Sequence, residues 1–252
     1  MKYFSLFIYY KYMKFYYNSI VINLSFGYPQ LFKNNMNWNS KSLEFGGMSE
    51  NKDFHVVKHN VLHEGKFMSL ECIDYMTPVG LKKWECISRK SKKLSGLDVD
   101  AVELVPIIYY PESKKPTSLV FISEFSVPVG VKVWQLAAGL IDPHETVESS
   151  AKRELKEETG YVAEKVVHVT KRVAAAPAES DTYVQYVTLL INGDAEENKN
   201  PKQELEPSED VQVSVVPLEE LESFVMKRCE AGETVEARFF CMACSAALLN
   251  YK

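Results

Sequence analysis

The sequence lacks the features that mark several specialised classes of protein. Its five cysteines are odd in number and scattered, so they do not form a disulfide framework. A net charge of −5 gives no general attraction to nucleic acid, and polar residues interrupt the early apolar run before it could span a membrane. We therefore expect a soluble protein of the cytoplasm, and also of the nucleus, with neither nucleic acid nor a membrane among its partners.

Two cysteines, Cys241 and Cys244, form a CxxC pair that in other proteins binds zinc or carries redox chemistry. Here the pair lies in ARFFCMACSAALL, an apolar run of helical character. The sequence contains no second CxxC and no paired histidines that would complete a zinc site. We therefore predict that both cysteines pack in a buried helix.

Residues 1–47 differ in composition from the rest of the chain. Twelve of the thirty aromatic residues lie within the first 35 positions, and no small-residue cleavage site follows a compact apolar core, so a signal peptide is not predicted. The segment is interpreted as an atypical extension, either disordered or the product of an alternative start. Met36 and Met48 are the alternative starts, and residues 1–47 are left out of the fold prediction.

From about Phe54 onward the pattern predicts many strands and few helices. A turn containing Pro78 and Gly80 joins two β-rich runs into a hairpin. Further strands are predicted at residues 102–110, 118–125, 131–137, 166–174, 183–191 and 211–216. Two helices are predicted at residues 218–229 and 235–251. The prediction is an N-terminal β region at residues 48–95 and a second domain at residues 96–252. Its fold class is α+β, an α/β/α sandwich with a mixed central sheet.

The stretch GLIDPHETVESSAKRELKEETGY, residues 139–161, carries six carboxylates. Thr146 is a good N-cap and Gly160 a good C-terminal stop, so a helix is predicted between them. Val147, Ala151 and Leu155 recur every four residues and form an apolar stripe. The glutamates at 154, 157 and 158 are expected on the opposite, solvent-facing side.

Carboxylates one helical turn apart repel each other, at a cost of a few tenths of a kcal/mol per pair. A divalent cation turns this repulsion into binding, because Mg²⁺ prefers oxygen ligands and is commonly completed by the phosphates of a substrate. The acidic face therefore predicts a site for Mg²⁺, or for Mn²⁺. The alternative is an acidic helix face that is simply solvated.

The spacing of this stretch resembles the Nudix box. The nine matching positions are Gly139, Glu145, Arg153, Glu154, Leu155, Glu157, Glu158, Gly160 and Tyr161. The resemblance implies a Nudix fold at residues 96–252 and metal-dependent hydrolysis of a nucleoside diphosphate linked to another group. It also implies metal ligands at Glu154, Glu157, Glu158 and the Ala138 carbonyl. Arg153 and Glu145 would hold these ligands in place.

The flanking residues, over about 60–251, resemble the ADP-sugar pyrophosphatases, the ADP-ribose hydrolases. The Trp84-Glu85 pair, QLAAGLID, Pro177 and ETVEARFF carry this resemblance. It implies hydrolysis of ADP-ribose to AMP and ribose 5-phosphate by a homodimer that exchanges its N-terminal hairpins. The substrate-binding residues that it implies are Phe67, Trp84, Glu85, Arg89 and Leu140. Phe67 and Trp84 would sandwich the adenine, although ordinary core packing is the alternative for each.

The catalytic set that the resemblance implies is Glu157, Glu158 and a general base on a later loop. Glu209 is the first candidate for the base and Glu206 the second, and a solvated loop glutamate is the alternative for both. Two alternatives to the ADP-ribose function stay open. One is a hydrolase of oxidised nucleoside diphosphates, and the other is a non-catalytic module that senses ADP-ribose, which the intact box glutamates argue against.

Three positions depart from the subfamily pattern. Ser126 stands where a phosphate-binding arginine is usual, in the sequence Glu124-Phe125-Ser126. The usual Glu-Phe-Pro-Ala-Gly before the box is Gln-Leu-Ala-Ala-Gly at residues 135–139, and Ala176 replaces an acidic residue before Pro177. These changes leave the metal-binding pattern whole and bring the choice of substrate into question, with Lys132 as a nearby replacement for the missing cation.

Overall fold

The computed structural model describes residues 53–90 and 96–248, which belong to one compact unit. The predicted extension at residues 1–47 and the polar residues 91–95 lie outside the described part of the chain. Within that part, no helix combines the length and the apolar character needed to cross a membrane.

The N-terminal region is a three-stranded antiparallel sheet in the order β1-β2-β3. Its strands are β1 (His55–Glu64), β2 (Met68–Thr77) and β3 (Gly80–Arg89). The predicted hairpin is confirmed as β2 and β3, whose turn is closed by a hydrogen bond of 2.8 Å from the Thr77 hydroxyl to the Gly80 carbonyl. Gly80 has φ 109°, a backbone conformation that glycine adopts without a steric cost.

The main sheet has nine strands, two pairs of them parallel. Its longest path runs β12-β6-β5-β4-β10-β8, while β11 pairs with β5, β7 with β4 and β9 with β10. The strands are β4 (Ala101–Tyr109), β5 (Ser118–Ser126), β6 (Val131–Gln135), β7 (Ala138–Leu140), β8 (Lys165–Val169), β9 (Val173–Ala174), β10 (Tyr183–Asn192), β11 (Val211–Pro217) and β12 (Thr234–Val235).

Helices cover both faces of the main sheet. They are α1 (Val147–Thr159), the short α2 (Glu196–Lys199), α3 (Leu221–Glu230) and α4 (Ala237–Leu248). Alternate residues of β5 serve the two faces: Val120 and Ile122 join the core that includes Ala151 and Leu155 of α1. Leu119 and Phe121 join the core formed with α3 and α4. Because strand side chains alternate between faces, this arrangement confirms the α/β/α sandwich with a mixed sheet.

Two predicted strands are each divided in the structure. The run at 131–137 ends as β6 at Gln135, and the chain then crosses to pair with β4 as the separate strand β7. The run at 166–174 breaks into β8 and β9, which pair with different parts of β10. The pairing partners therefore decide where each of these strands stops.

The two late helices are confirmed, with shifted starts. The predicted helix at 218–229 opens with a 3₁₀ turn (Leu218–Glu220) before α3, and α4 begins at Ala237 because Thr234–Val235 pairs with β6. The prediction that both cysteines of the CxxC pair are buried is wrong. Cys241 lies on the exposed side of α4 and Cys244 is partly buried, so the helix packs mainly through residues such as Phe239 and Ala243.

Candidate active site

Helix α1 is held at both ends by the residues that the sequence pattern singled out. The backbone N–H of Ser149 donates to the Thr146 hydroxyl at 3.1 Å, and the Thr146 N–H donates to the Ser149 hydroxyl at 2.9 Å, which completes a capping box. At the other end Gly160 has φ 75°, and a Cβ there would lie 2.5 Å from the Lys202 nitrogen. Gly160 therefore both ends the helix and lets residues 201–210 pack beside it.

The acidic face of α1 is more buried than the sequence predicts. Glu158 is 8% exposed and the Glu154 side chain 13%, whereas Glu157 keeps 37%. The expectation that Glu157 and Glu158 share a solvent-facing side is therefore wrong for Glu158. The reason is tertiary: β7 and residues 203–204 lie against this face, with the Gln203 side chain donating to the Glu158 carbonyl at 2.6 Å.

Arg153 binds three of the box glutamates at once. Its Nε and Nη2 donate to the two Glu145 oxygens, each at 2.9 Å, as a bidentate pair. Its Nη1 donates to Glu154 at 2.7 Å and to Glu157 at 2.9 Å, and Nη2 also reaches the Leu140 carbonyl at 3.1 Å. The Glu145 hydrogen bond is the main reason that the pKa of Arg153 is raised. One guanidinium therefore fixes the positions of three carboxylates.

Among the described residues no cation pairs with Glu158, which accepts instead the backbone N–H of Ala138 at 3.1 Å. Burial, together with the charges of Glu154 and Glu124, raises the pKa of Glu158 to about 9. Burial likewise raises the pKa of Glu154 to about 7, even though Arg153 opposes the shift. In the absence of a cation these two carboxyl groups therefore hold protons that exposed glutamates would release.

The tertiary structure brings two further carboxylates to this face. Glu124 follows Val120 and Ile122 at alternate positions of β5, so it lies on the side of the sheet that α1 covers. Its carboxylate accepts a 3.0 Å hydrogen bond from Gln135 of the neighbouring strand. Glu209 lies two residues before Val211, which pairs with Glu124 across β11 and β5. Burial, and after it the charge of Glu209, raises the pKa of Glu124.

Glu124 was not among the predicted site residues. The residues around Glu124 differ from the subfamily pattern. Counting every second residue of β5 from the buried Val120 would have placed Glu124 on the same face as Val120. The alternative candidate for the base, Glu206, is exposed, and its backbone N–H donates to the Glu209 carboxylate at 2.8 Å. The 206–209 turn thus orients Glu209, while its role as base stays a prediction.

The donor set of this cluster fits a hard divalent cation, because it consists of carboxylate oxygens on a partly buried surface. Gly139 is the residue that makes room: a Cβ there would lie 1.9 Å from the carboxyl carbon of Glu154. In the described ranges 53–90 and 96–248, however, no three acidic, histidine or cysteine side chains already stand where they could hold a metal ion. Arg153 and the Ala138 N–H hold the carboxylates instead.

Comparison with known proteins identifies this arrangement. The family model of the NUDIX domain matches residues 104–237, a range that begins within β4 and includes the acidic helix and the cluster around it.

The chain belongs to the Nudix family.

The predicted Nudix fold and the predicted assignment to the Nudix hydrolases are thereby confirmed. The chain is 31% identical over 167 residues to the ADP-sugar pyrophosphatase of Mus musculus, covering 66% of this chain and 74% of that protein. It is 30% identical over 174 residues to the ADP-ribose pyrophosphatase of Saccharomyces cerevisiae, covering 69% and 74%. A crystal structure described as an ADP compounds hydrolase superposes with a TM-score of 0.53 at 20% identity, covering 79% of this chain and 95% of that one. This last likeness concerns the fold alone.

The predicted substrate-binding residues lie on the N-terminal sheet and on β7 of this Nudix protein. Phe67 is 69% exposed with the Lys66 ammonium 4.8 Å from its ring centre, and Trp84 is 51% exposed. The expectation of core packing therefore does not hold for either aromatic residue. Glu85 is also exposed, and Arg89 is partly buried at the end of β3.

Leu140, the remaining predicted substrate-binding residue, is 45% exposed on β7. Its carbonyl accepts from Arg153, which ties it to the carboxylate cluster. The binding roles of Leu140 and of the four residues on the N-terminal sheet stay predictions, since the exposure of a side chain does not show what contacts it.

The loop that contains Pro177 connects the N-terminal sheet to the Nudix domain. The Trp84 indole N–H donates to the Ala178 carbonyl at 3.0 Å, and the Ile87 N–H donates to the Glu179 carbonyl at 2.8 Å. The Ser88 hydroxyl adds a 3.1 Å hydrogen bond to the Asp181 carboxylate. These contacts hold the exposed indole against the loop that follows the box.

Near the departure position Ser126, the cation expected as a replacement is already paired. Ser126 follows Glu124 by two residues on β5 and therefore lies on the same face of the sheet. Lys132, the expected replacement for the missing arginine, donates to Asp210 at 3.0 Å and lies 2.9 Å from its other oxygen. Its charge is therefore already paired with that of Asp210.

Proposed function

We propose that this Nudix hydrolase cleaves the diphosphate of ADP-ribose, and of other ADP-sugars, into AMP and a sugar phosphate. For ADP-ribose, addition of one water molecule breaks one P–O–P bond and yields AMP and ribose 5-phosphate. The observation that carries the proposal is the complete set of box glutamates gathered around Gly139 and β7. The names of the mouse and yeast relatives support ADP-sugars as the substrate class.

Each part of the cluster has a proposed task. Glu154, Glu157, Glu158 and the Ala138 carbonyl would hold a divalent cation, with Mg²⁺ proposed and Mn²⁺ as a substitute. When bound, that cation neutralises the diphosphate and lowers the pKa of a bound water molecule. Arg153 restrains Glu154 and Glu157 through the hydrogen bonds at its Nη1. The Glu209 carboxylate is the proposed acceptor of the proton that the attacking water loses.

Recognition of the adenosine half is assigned to the N-terminal sheet. A flat base suits the exposed faces of Trp84 and Phe67, because π surfaces stack and remove apolar area from water. The Arg89 guanidinium would pair with a phosphate, a geometry for which its planar fork is suited. Glu85 and Leu140 are proposed to line the same site.

The N-terminal sheet is also the proposed homodimer contact. Its strands expose several large apolar side chains, and exposed apolar residues that cluster mark interaction surfaces in soluble proteins. They are Val56, Val61, Leu70, Leu81, Trp84 and Ile87. A variant that starts at Met48 should therefore remain a dimer by light scattering, and one that lacks residues 1–89 should be an inactive or insoluble monomer. A fully active monomer of the first variant would contradict the shared site.

Product analysis tests the proposed reaction directly. The wild-type protein is incubated at fixed Mg²⁺ with ADP-ribose, two other ADP-sugars and oxidised nucleoside diphosphates, and the products are separated by chromatography. Release of AMP and ribose 5-phosphate at the highest kcat/KM of the panel is the expected result. Cleavage of an oxidised nucleoside diphosphate with no turnover of ADP-ribose would replace the proposal by that alternative. ADP-ribose binding without turnover of any substrate would favour the sensing module.

A further inference from the structure

Outside the acidic cluster, one buried carboxylate lies at the junction of three functional segments. Asp100 is 1% exposed and directly precedes β4. Its Oδ2 accepts the backbone N–H of Tyr183 at 2.9 Å. Its own N–H donates to the Tyr183 carbonyl at 2.8 Å, and its carbonyl accepts the N–H of Ile141 at 3.2 Å. A buried charge is costly unless it receives such hydrogen bonds, so a charged residue at this position needs an explanation.

On one side Asp100 holds the end of the loop that carries Pro177. Residues 175–182 are closed by a 3.0 Å hydrogen bond from the Ala175 N–H to the Thr182 carbonyl, and Tyr183 is the first residue after them. The same loop accepts the Trp84 indole N–H and bonds to Ser88 through Asp181. The bond between Asp100 and Tyr183 therefore fixes the point where this loop joins β10.

On the other side Asp100 adjoins the segment that leads into the Nudix box. Ala101, the next residue, pairs with Leu140 of β7 and with Val184 of β10, so β7, β4 and β10 meet in one row of the sheet. The Leu140 carbonyl accepts from Arg153, and Gly139 lies against Glu154. Asp100 therefore lies between the loop bearing Ala178 and the segment that leads to the carboxylate cluster.

We propose that Asp100 is a positioning residue for substrate recognition: its carboxylate, which accepts the Tyr183 N–H, holds the 175–182 loop and with it the Trp84 ring in register with the Nudix box. The proposal rests on the proposed function, since it assigns Trp84 to the substrate. Of the three hydrogen bonds described, only the one from the Tyr183 N–H uses the side chain, because the other two are made by the Asp100 backbone. Loss of the carboxylate should thus affect the recognition loop far more than the cluster.

The test compares Asp100→Ala, Asp100→Asn and Asp194→Ala in the full chain. Asp194 is the matched control, because its carboxylate also accepts backbone N–H groups, from Glu112 at 2.7 Å and Ser113 at 3.1 Å, near the opposite ends of β4 and β10. Asp100→Ala should raise KM for ADP-ribose about tenfold, the equivalent of one charge-assisted hydrogen bond, with kcat within about twofold of wild type. Asp100→Asn keeps an acceptor oxygen, so its KM should lie between those of the wild type and Asp100→Ala. Asp194→Ala should have the KM of the wild type.

Amide hydrogen exchange gives a second readout that needs no substrate. In Asp100→Ala the amides of residues 176–183 should exchange faster while those of α1 keep their protection, and in Asp194→Ala only residues 111–116 should change. If wild type does not cleave ADP-ribose, the proposed function fails and the exchange pattern still decides the role of Asp100. The proposal would be overturned if Asp100→Ala lowered kcat by as large a factor as it raised KM. It would also be overturned if the loop amides of Asp100→Ala exchanged as slowly as those of the wild type. If Asp100→Ala is insoluble, Asp100→Asn must show faster loop exchange than wild type, and its absence counts against the proposal.

Discussion

The acidic face of α1 and the N-terminal sheet are held in place in opposite ways. The first is fixed by dense short-range bonds, in which Arg153 alone contacts Glu145, Glu154 and Glu157. The second is a sheet of three ten-residue strands whose side chains are mostly exposed, Thr77 and Cys86 being its buried members. Within the described residues it is bonded to the Nudix domain through the 175–182 loop.

This difference separates two kinds of function. A group that must meet changing charge during the reaction needs fixed geometry and low exposure, and the α1 face provides both. A surface that binds a flat base needs exposed aromatic faces, which the N-terminal sheet provides through Trp84 and Phe67. Changes on α1 should therefore act mainly on kcat, and changes on the sheet mainly on KM.

The largest effect is expected at Glu158. Glu158→Gln keeps an acceptor for the Ala138 N–H but removes the charge, so kcat should fall by about 10²- to 10³-fold with the fold intact. Steady-state kinetics and circular dichroism measure the two properties. Glu148→Gln, an exposed residue in the first turn of the same helix, is the control. A folded Glu158→Gln protein with near wild-type turnover would remove Glu158 from the metal site.

The buried carboxyl groups of α1 should make the metal-free protein less stable as the pH rises. Burial raises the pKa of Glu158 to about 9 and that of Glu154 to about 7, above the ordinary value of 4.5. The folded state therefore binds more protons than the unfolded state between these values. For these groups the free energy of unfolding is highest below about pH 4.5. It falls as the pH rises towards their folded-state pKa values, by up to about 1.4 kcal/mol per pH unit for each group.

Urea unfolding in EDTA at about pH 6, 7 and 8 measures this slope. Glu158→Gln should flatten it, because an amide does not titrate. Added Mg²⁺ should restore stability most at the highest pH, where a cation that binds the folded state replaces the lost protons. A slope that is the same in the wild type and in Glu158→Gln would show that Glu158 is ionised in the folded protein.

On the N-terminal sheet, Trp84→Ala should raise KM for ADP-ribose by about tenfold while kcat changes little. Trp84→Phe keeps an aromatic face but loses the indole N–H that donates to Ala178, so its KM should rise less. Lys82→Ala, also exposed on β3, is the control for a general effect on the sheet. If Trp84→Ala mainly lowered kcat, the proposed division of kcat and KM effects between the two regions would be wrong.

The smallest effect is expected at the border between the two regions. Ser126→Arg restores a cation on the sheet face that carries Glu124, and it should lower KM for ADP-ribose by up to about tenfold, the contribution of one charge-assisted contact. Lys132→Ala should leave KM near wild type, because Asp210 already pairs with that ammonium. An unchanged KM in Ser126→Arg would place Ser126 away from the phosphates.

Much of the α1 site followed from local pattern. Caps, an apolar stripe and glutamates one turn apart are properties of a single helix, and Thr146, Leu155 and Gly160 behave as the pattern predicts. The box spacing also carried the family resemblance, which the match at residues 104–237 confirms. The sequence misjudged the burial of Glu158, because burial depends on β7 and residues 203–204, which are distant along the chain.

The sequence alone thus determined the family and the identity of the box carboxylates, since both depend on spacings within one short stretch, and the order of predicted strands and helices indicated the α/β/α sandwich. Only the tertiary structure decided that β7 separates from β6, that Glu124 and Glu209 join the cluster, and that Asp100 links the Trp84 loop to the box. These features arise from hydrogen bonds and charges between residues up to about a hundred positions apart. No periodic pattern along the chain encodes such contacts, because the order of strands in the sheet creates them.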